Sequence, residues 1–132
     1  MKITEKISLY ITISALCIFV ASHSFAHSWM APEDEARNIN PVELSDKSVA
    51  NGQKIFENKC SYCHGNSARG LSKDDTGLAQ DTPNLIQRLD NHTDGDFHWK
   101  IINGKDAMPS FKDDLSDNDI WNIINYLKTV NE

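Results

Sequence analysis

Residues 60–64 read Cys-Ser-Tyr-Cys-His, and this motif constrains the fold more than any other feature of the chain. Two cysteines separated by two residues and followed by a histidine form the pattern of covalent haem c attachment. Thiols three residues apart at the end of a helix can both reach one porphyrin edge and add to its two vinyl groups. The adjacent His64 can then turn under the ring and bind the iron. The motif therefore predicts that Cys60 and Cys63 form haem thioethers and that His64 is the proximal iron ligand.

Three other uses of this motif fit the sequence less well. A thioredoxin-like dithiol follows a strand in an α/β pattern, which is not found here. A zinc site needs about four ligands, and the chain has no second cysteine pair. A structural disulfide between Cys60 and Cys63 is compatible with two thiols but leaves the adjacent His64 unexplained. We therefore interpret the motif as a haem c site.

Residues 1–26 have the pattern of a secretory signal peptide. A basic start is followed by a mostly apolar stretch at residues 7–20 and by small side chains at Ser24 and Ala26. The apolar stretch is shorter than the ~20 residues that a membrane-spanning helix needs. The sequence therefore predicts cleavage, export to the periplasm and no membrane span in the mature protein.

The exported part of the chain has few large apolar residues from which to build a core. Leu, Ile, Val and Phe make up 21 of the 106 residues from 27 to 132. This share is close to the ~20% level below which a highly charged chain is expected to be disordered. A haem is a large, flat apolar body that would fill the centre the side chains leave empty. The net charge of −6 excludes nucleic acid as a partner, because its phosphates would be repelled.

Helical periodicity and cap residues predict an all-α fold with long loops, since no strand-like alternation of any length is present. A short turn or helix is also expected to start at residues 82–85. Three longer helices are predicted, each with an N-cap residue before it. Ser48 caps a helix through Ala50 to about Cys60, Thr93 caps one over residues 94–103, and Ser116 caps one from about Asp117 to Val130.

Residues 27–47 are polar and interrupted by prolines, which predicts an extended leader ahead of a domain over residues 48–132. Within this leader, residues 29–32 read Trp-Met-Ala-Pro and form an apolar tag. The tag could dock on the body of the protein or on a partner, and a mobile tail fits the same composition.

The body of the chain resembles the class I c-type cytochromes over residues 48–130. The resemblance implies a cytochrome c-like fold of three to five helices around one covalently bound haem. It also implies that the first and last helices cross at Gly52. The motifs that carry it are, in order, Gly52 and Phe56 ahead of residues 60–64, Pro83-Asn-Leu, Trp99 to Gly104, Met108-Pro-Ser-Phe, and Trp121 with Tyr126 in a final helix.

The same resemblance implies roles for several side chains. The ring of Phe56 would pack against Trp121 or Tyr126. The carbonyl of Pro83 would accept a hydrogen bond from the far nitrogen of the proximal histidine and fix its tautomer. Trp99 would lie in the haem surround.

Met108 is the distal iron ligand that the resemblance implies, and its position supports the same role. Residues 27–132 hold two methionines, and Met30 lies in the leader. Met108 lies in a loop between two helices, 44 residues after His64, which leaves room to pass around a haem edge. A neutral thioether favours Fe(II) and raises the reduction potential. His92 and His98 are the alternative sixth ligands, of which His98, within a predicted helix, is the better.

These features predict a periplasmic electron carrier rather than an enzyme, because iron with both axial positions filled has no open site. One electron would pass between a redox donor and an acceptor that dock at the haem edge. The acidic body would steer partners with a basic docking face, and the protein would be monomeric or transiently bound. One alternative is a haem c subunit fixed in a dehydrogenase or oxidase complex by its leader. Another is a haem sensor with a displaceable sixth ligand.

Overall fold

The computed structural model describes residues 29–130, a range that contains seven helices and no strand. Three helices are single turns: α1 (Glu33–Ala36), α3 (Ser61–His64) and α4 (Lys73–Thr76). The longer ones are α2 (Asp46–Lys59), α5 (Leu85–Leu89), α6 (Asp94–Asn103) and α7 (Asp117–Leu127). The all-α prediction is confirmed, and the helices longer than one turn fall within the predicted three to five. The predicted signal peptide lies outside the described residues.

The two C-terminal helices begin where their cap residues predict. Thr93 caps α6, and Ser116 caps α7 by accepting from the Asp119 backbone. The Asp119 side chain accepts from the Ser116 N–H at 3.1 Å, which completes the predicted capping box. Helix α7 ends at Leu127, three residues before the predicted Val130.

The predicted start of the first long helix is wrong. Ser45, not Ser48, caps α2, and its hydroxyl accepts from the Ser48 backbone N–H at 3.3 Å. Ser48 lies inside the first turn, where it is buried and its hydroxyl accepts from Asn125 Nδ2 at 2.7 Å. Both serines are suitable caps. The long-range contact with Asn125 decided between them, and no local pattern reveals that contact.

Helices α2 and α7 cross in close contact at Gly52. A Cβ atom at Gly52 would lie 1.9 Å from the carbonyl oxygen of Asn122, so only glycine fits. Phe56 lies one turn later, is fully buried, and has its ring centroid 5.5 Å from that of Tyr126. The predicted crossing is therefore confirmed, and Tyr126 is the aromatic partner of Phe56.

The hydrophobic core is formed mainly by α7, with contributions from α2, α5, α6 and the loops. Half-buried apolar side chains pack against it, and they include Cys60 and Met108. The buried core residues are Phe56, Ala68, Ile86, Phe97, Ile101, Phe111, Ile120, Trp121, Ile123, Ile124 and Leu127.

The described part of the predicted leader contains α1 and packs against the C-terminal half. Ala31 is buried, and its N–H donates to Asp96 Oδ1 at 2.6 Å. The Thr93 hydroxyl donates to the Ala36 carbonyl at 2.5 Å. Further along, the Asn40 side chain donates to the Trp121 carbonyl at 3.2 Å. From Trp29 to Val130, no helix is long and apolar enough to cross a membrane.

Candidate haem site

Cys60, Cys63 and His64 lie at the junction of α2 and α3. The Cys60 carbonyl accepts from the N–H of Cys63 at 3.1 Å and from the N–H of His64 at 2.9 Å, so one tight turn holds the motif. Both cysteines are free thiols and are half-buried. The structure therefore brings the three predicted residues into one short element.

The Cys60 thiol and the His64 imidazole are uncharged at neutral pH. Burial raises the pKa of Cys60 to about 11, and the nearby Cys63 acts in the same direction. Burial lowers the pKa of His64, while a hydrogen bond with the Pro83 backbone acts in the opposite direction. Neutral imidazole is the form that binds a metal ion.

Thr82 holds the segment before α5 against the motif. Its hydroxyl donates to the Cys63 carbonyl at 2.6 Å and accepts from the Leu71 N–H at 2.7 Å. These bonds bring the next residue, Pro83, beside the imidazole of His64. Sequence reasoning missed Thr82, because a threonine in a loop carries no signal until its partner 19 residues away is known.

Gly70 allows the backbones around His64 to approach closely. Its N–H donates to the His64 carbonyl at 2.9 Å, and its φ of 82° is in the left-handed region. A Cβ atom there would lie 2.2 Å from the Thr82 carbonyl oxygen. Glycine at position 70 therefore serves both the turn and the contact with the Thr82 segment.

The imidazole of His64 has a nitrogen without a protein partner. Its Nδ1 atom is buried and makes no hydrogen bond with the described residues, which is rare for a buried polar atom. The Pro83 carbonyl acts on the same ring, as its effect on the pKa shows. Two free thiols and a neutral imidazole in one turn fit a covalently attached haem. The role of the Pro83 carbonyl stays a prediction.

The loop that carries Met108 is closed on itself and tied to α6. Lys105 and Met108 exchange two backbone hydrogen bonds, each of 2.9 Å. Gly104 has a φ of 64°, and a Cβ atom on it would lie 2.5 Å from the Pro109 carbonyl carbon. Met108 is half-buried and packs against the same core as Cys60. Its thioether is thus held in a tight, well-anchored turn.

Both alternative sixth ligands have partners of their own. His92 Nδ1 lies 2.6 Å from the Asp96 carboxylate. The His98 ring stacks on Trp121 with centroids 3.9 Å apart. His98 Nε2 lies 3.2 Å from Asp117 Oδ1, close enough for an ion pair but not in hydrogen-bond geometry. These contacts hold the His92 imidazole against α6 and the His98 imidazole against α7.

Trp99, the residue expected in the haem surround, is half-buried on α6, and its carbonyl accepts from Asn103 at 2.7 Å.

In the part of the chain that the structure describes, no three His, Cys, Asp or Glu side chains are grouped so that they could hold a metal ion. A cavity of about 430 Å³ includes none of the predicted haem residues. It is lined by Asn51, Lys54, Ile55, Asn58, Lys59, Leu115 and Asp119.

Residues 47–127 match the family described as cytochrome C oxidase, cbb3-type, subunit III. The chain is 34% identical over 85 residues to cytochrome c6 of Gracilaria tenuistipitata var. liui, covering 61% of this chain and 71% of that protein. It is 32% identical over 90 residues to cytochrome c6 of Bumilleriopsis filiformis, covering 64% of this chain and 93% of that protein.

A solved structure from the Kuenenia stuttgartiensis reducing HAO-like protein complex has the same fold, with a TM-score of 0.53 and 20% identity. The match covers 70% of this chain but 47% of that one, so this chain spans about half its length. The family match contains the whole motif at residues 60–64, as well as Met108. The chain therefore belongs to this family and is a class I c-type cytochrome, a monohaem electron-transfer protein with covalently bound haem c.

Proposed function

We propose that Cys60 and Cys63 hold the haem through thioethers and that His64 and Met108 are its two axial ligands. The observation that carries the proposal is the single turn that holds both free thiols and the neutral imidazole of His64, tied together at the Cys60 carbonyl. We include the Pro83 carbonyl as the acceptor that orients the proximal imidazole.

Each side chain of the motif has a defined task in this proposal. Cys60 and Cys63 would hold the haem through two thioethers, each from addition of an S–H group across one vinyl group, with the sulfur on one carbon and the hydrogen on the other. The Pro83 carbonyl accepts from one ring N–H of His64, which leaves the lone pair of the other nitrogen for iron. When bound, haem c supplies a one-electron Fe(III)/Fe(II) couple.

Three features favour Met108 as the distal ligand. Its thioether is soft and neutral, and a His/Met ligand pair raises the reduction potential. Its loop is closed by the paired hydrogen bonds with Lys105. The rival imidazoles of His92 and His98 are engaged with Asp96 and Trp121. Trp99, on the helix that precedes this loop, is proposed to line the haem surround.

We further propose that the protein is an exported carrier that turns over no substrate itself. The signal pattern of residues 1–26 supports export to the periplasm, ahead of a leader over 27–47 and a cytochrome domain over 48–132. With both axial positions filled, no site is left for a substrate. The net charge of −6 favours redox donors and acceptors with a basic face. Because the leader packs on the body from Ala31 to Asn40, it is less available as an attachment arm to a larger complex.

Visible spectra and a denaturing haem stain test the ligand set. The protein is expressed in a host that attaches haem c, beside Met108→Ala and the matched control Met30→Ala. The wild type and Met30→Ala are expected to stain, to show low-spin spectra in both redox states, and not to bind CO when reduced. Met108→Ala is expected to stain but to bind CO. A colourless wild type would overturn the haem assignment, and CO binding by the reduced wild type would favour a sensor.

A further inference from the structure

A buried carboxylate fastens the start of the described chain to α6. Asp96 is 1% exposed, and its two oxygens accept from the Ala31 N–H and from Lys100 Nζ, both at 2.6 Å. His92 Nδ1 lies 2.6 Å from the same carboxylate. Burial raises the pKa of Asp96, but the hydrogen bonds from Lys100 and Ala31 outweigh this effect and lower it. An ionised carboxylate thus joins residues that are 65 positions apart.

Trp29, two residues before Ala31, extends the contact between the leader and α6. The ammonium of Lys100 lies 5.5 Å from the ring centroid of Trp29, and that of Lys105 lies 5.9 Å from the same centroid. Both distances are within the cation–π range. Lys100 is held by the buried Asp96, whereas Lys105 is an exposed residue beyond the end of α6. Trp29 therefore links a fixed lysine to a lysine in a loop.

That loop is the one that carries Met108. The two backbone hydrogen bonds between Lys105 and Met108 tie the position of the Lys105 backbone to that of the methionine. Gly104 packs closely on the backbone around Pro109, since a Cβ atom on it would lie 2.5 Å from the Pro109 carbonyl carbon and 2.6 Å from the Met108 carbonyl oxygen. Trp29 itself lies outside residues 47–127, the range that matches the family.

We propose that residues 29–36 form a strap across α6, and that Trp29 acts through Lys105 as a positioning residue for the Met108 loop. This inference rests on the proposed role of Met108 as the distal ligand. The strap would slow opening of the loop and so keep external ligands away from the sixth coordination position.

The test is the rate at which imidazole binds to the oxidised, haem-loaded full-length protein. At saturating imidazole, this rate reports how often the distal position opens. A lost cation–π contact of the strength usual at exposed sites predicts that Trp29→Ala raises the rate by about twofold to fivefold. Trp29→Phe retains an aromatic face and should restore most of the wild-type rate. Ile39→Ala, at an exposed residue of the same leader, is the control and should leave the rate unchanged.

Lys105→Ala tests whether the strap acts through Lys105, and it leaves the buried Asp96 end of the strap intact. It should raise the rate as Trp29→Ala does. The double variant should show no further increase, because both changes remove the Trp29–Lys105 contact through which the strap would act. Additive effects, or equal rates for Trp29→Ala and Ile39→Ala, would overturn the inference. Met108→Ala separates the two proposals: if Met108 is the ligand, this variant binds imidazole without an opening step. If Met108→Ala behaves like the wild type, the ligand assignment itself fails.

Discussion

The Thr82 hydroxyl holds together the segments around His64, the proposed iron ligand. It donates to the Cys63 carbonyl and accepts from the Leu71 N–H, so it joins the haem-binding motif to the loop that precedes α5. The carbonyl of Pro83 follows directly in the chain. We therefore expect the orientation of His64 to depend on Thr82, a residue outside the motif at 60–64.

Replacing Thr82 by Val keeps the shape of the side chain and removes both hydrogen bonds. We expect the holoprotein to lose about 1–3 kcal/mol of unfolding free energy, because two backbone groups lose their partner. The reduction potential should also shift, since the Pro83 carbonyl is no longer held beside His64. Denaturant titration and redox titration measure the two effects.

Thr129→Val is the matched control for this change. The Thr129 hydroxyl also donates to a backbone carbonyl, that of Tyr126, but it lies on the exposed surface at the end of α7. Water can replace that bond, so neither stability nor potential should change appreciably. Equal effects of the two substitutions would contradict the positioning role of Thr82.

Gly52 is a second residue whose role is geometric. Because a Cβ atom would meet the Asn122 carbonyl oxygen at 1.9 Å, Gly52→Ala must push α2 and α7 apart. Overpacking of this kind costs about 1–3 kcal/mol, and we expect the upper end because the obstacle is backbone. Chemical denaturation of the holoprotein measures the loss.

Gly77→Ala provides the comparison for Gly52→Ala. Gly77 has a φ of 71°, but a Cβ atom on it would have nothing within 4 Å, so the substitution adds only backbone strain. That strain costs about 1–2 kcal/mol. A loss at position 52 no larger than the loss at position 77 would show that the two helices separate easily.

At the scale of elements, α6 and α7 are joined by the stacked rings of His98 and Trp121. Burial lowers the pKa of His98, while the Asp117 carboxylate acts in the opposite direction. Asp117 lies in the first turn of α7, and Glu35 of α1 also acts on the imidazole in the direction of a higher pKa. The contact between these helices therefore holds a histidine that resists protonation.

The lowered pKa of His98 predicts that the free energy of unfolding depends on pH. With a folded pKa below the ordinary histidine value of 6.5, His98 takes up its proton more readily in the unfolded chain. Its contribution to stability is therefore present above about pH 6.5 and is lost as the pH falls towards the folded pKa, by at most about 1.4 kcal/mol per pH unit. Denaturant titrations of the holoprotein between pH 7 and pH 5 measure this slope.

His98→Phe is expected to reduce the slope, because phenylalanine can stack on Trp121 but cannot titrate. Asp117→Asn should increase the slope. Removing this carboxylate lowers the folded pKa of His98 further, which widens the pH range over which stability is lost. If all three proteins have the same slope, His98 is not the titrating group.

At the scale of the whole molecule, the fold combines a small side-chain core with a cofactor. The buried apolar residues come mainly from α7, and Cys60 and Met108 are half-buried beside them. The share of large apolar residues is low for a chain of this length, as the sequence indicates. Covalent attachment of haem c would add a large apolar body to the interior and couple binding to folding.

Cys60→Ala combined with Cys63→Ala is therefore expected to leave the protein largely unfolded. Far-UV circular dichroism should show little helix, and no cooperative thermal transition should be detected. Ser61→Ala, between the two cysteines, is the control and should keep both the haem stain and the helix content. A well-folded, haem-free double variant would show that the side-chain core is sufficient.

The sequence by itself determined the features that depend on neighbours along the chain. The caps at Thr93 and Ser116 were predicted correctly, because each acts on a group within three residues. The motif at residues 60–64 predicted haem c as the cofactor, which the family match confirms. The spacing of the motif is also sufficient to indicate the chemistry, since two thiols three residues apart and the adjacent histidine can reach the same edge of one porphyrin.

Only the tertiary structure decided features that need a distant partner. A serine hydroxyl can cap a helix or bond to a remote amide, so the sequence could not show that Ser48 faces Asn125 while Ser45 is the cap. Likewise, Trp29 fits a mobile tail as well as a docked strap until Lys100 and Lys105 are brought to its ring. The physical reason is that these side chains have several partners of similar energy, and packing selects among them.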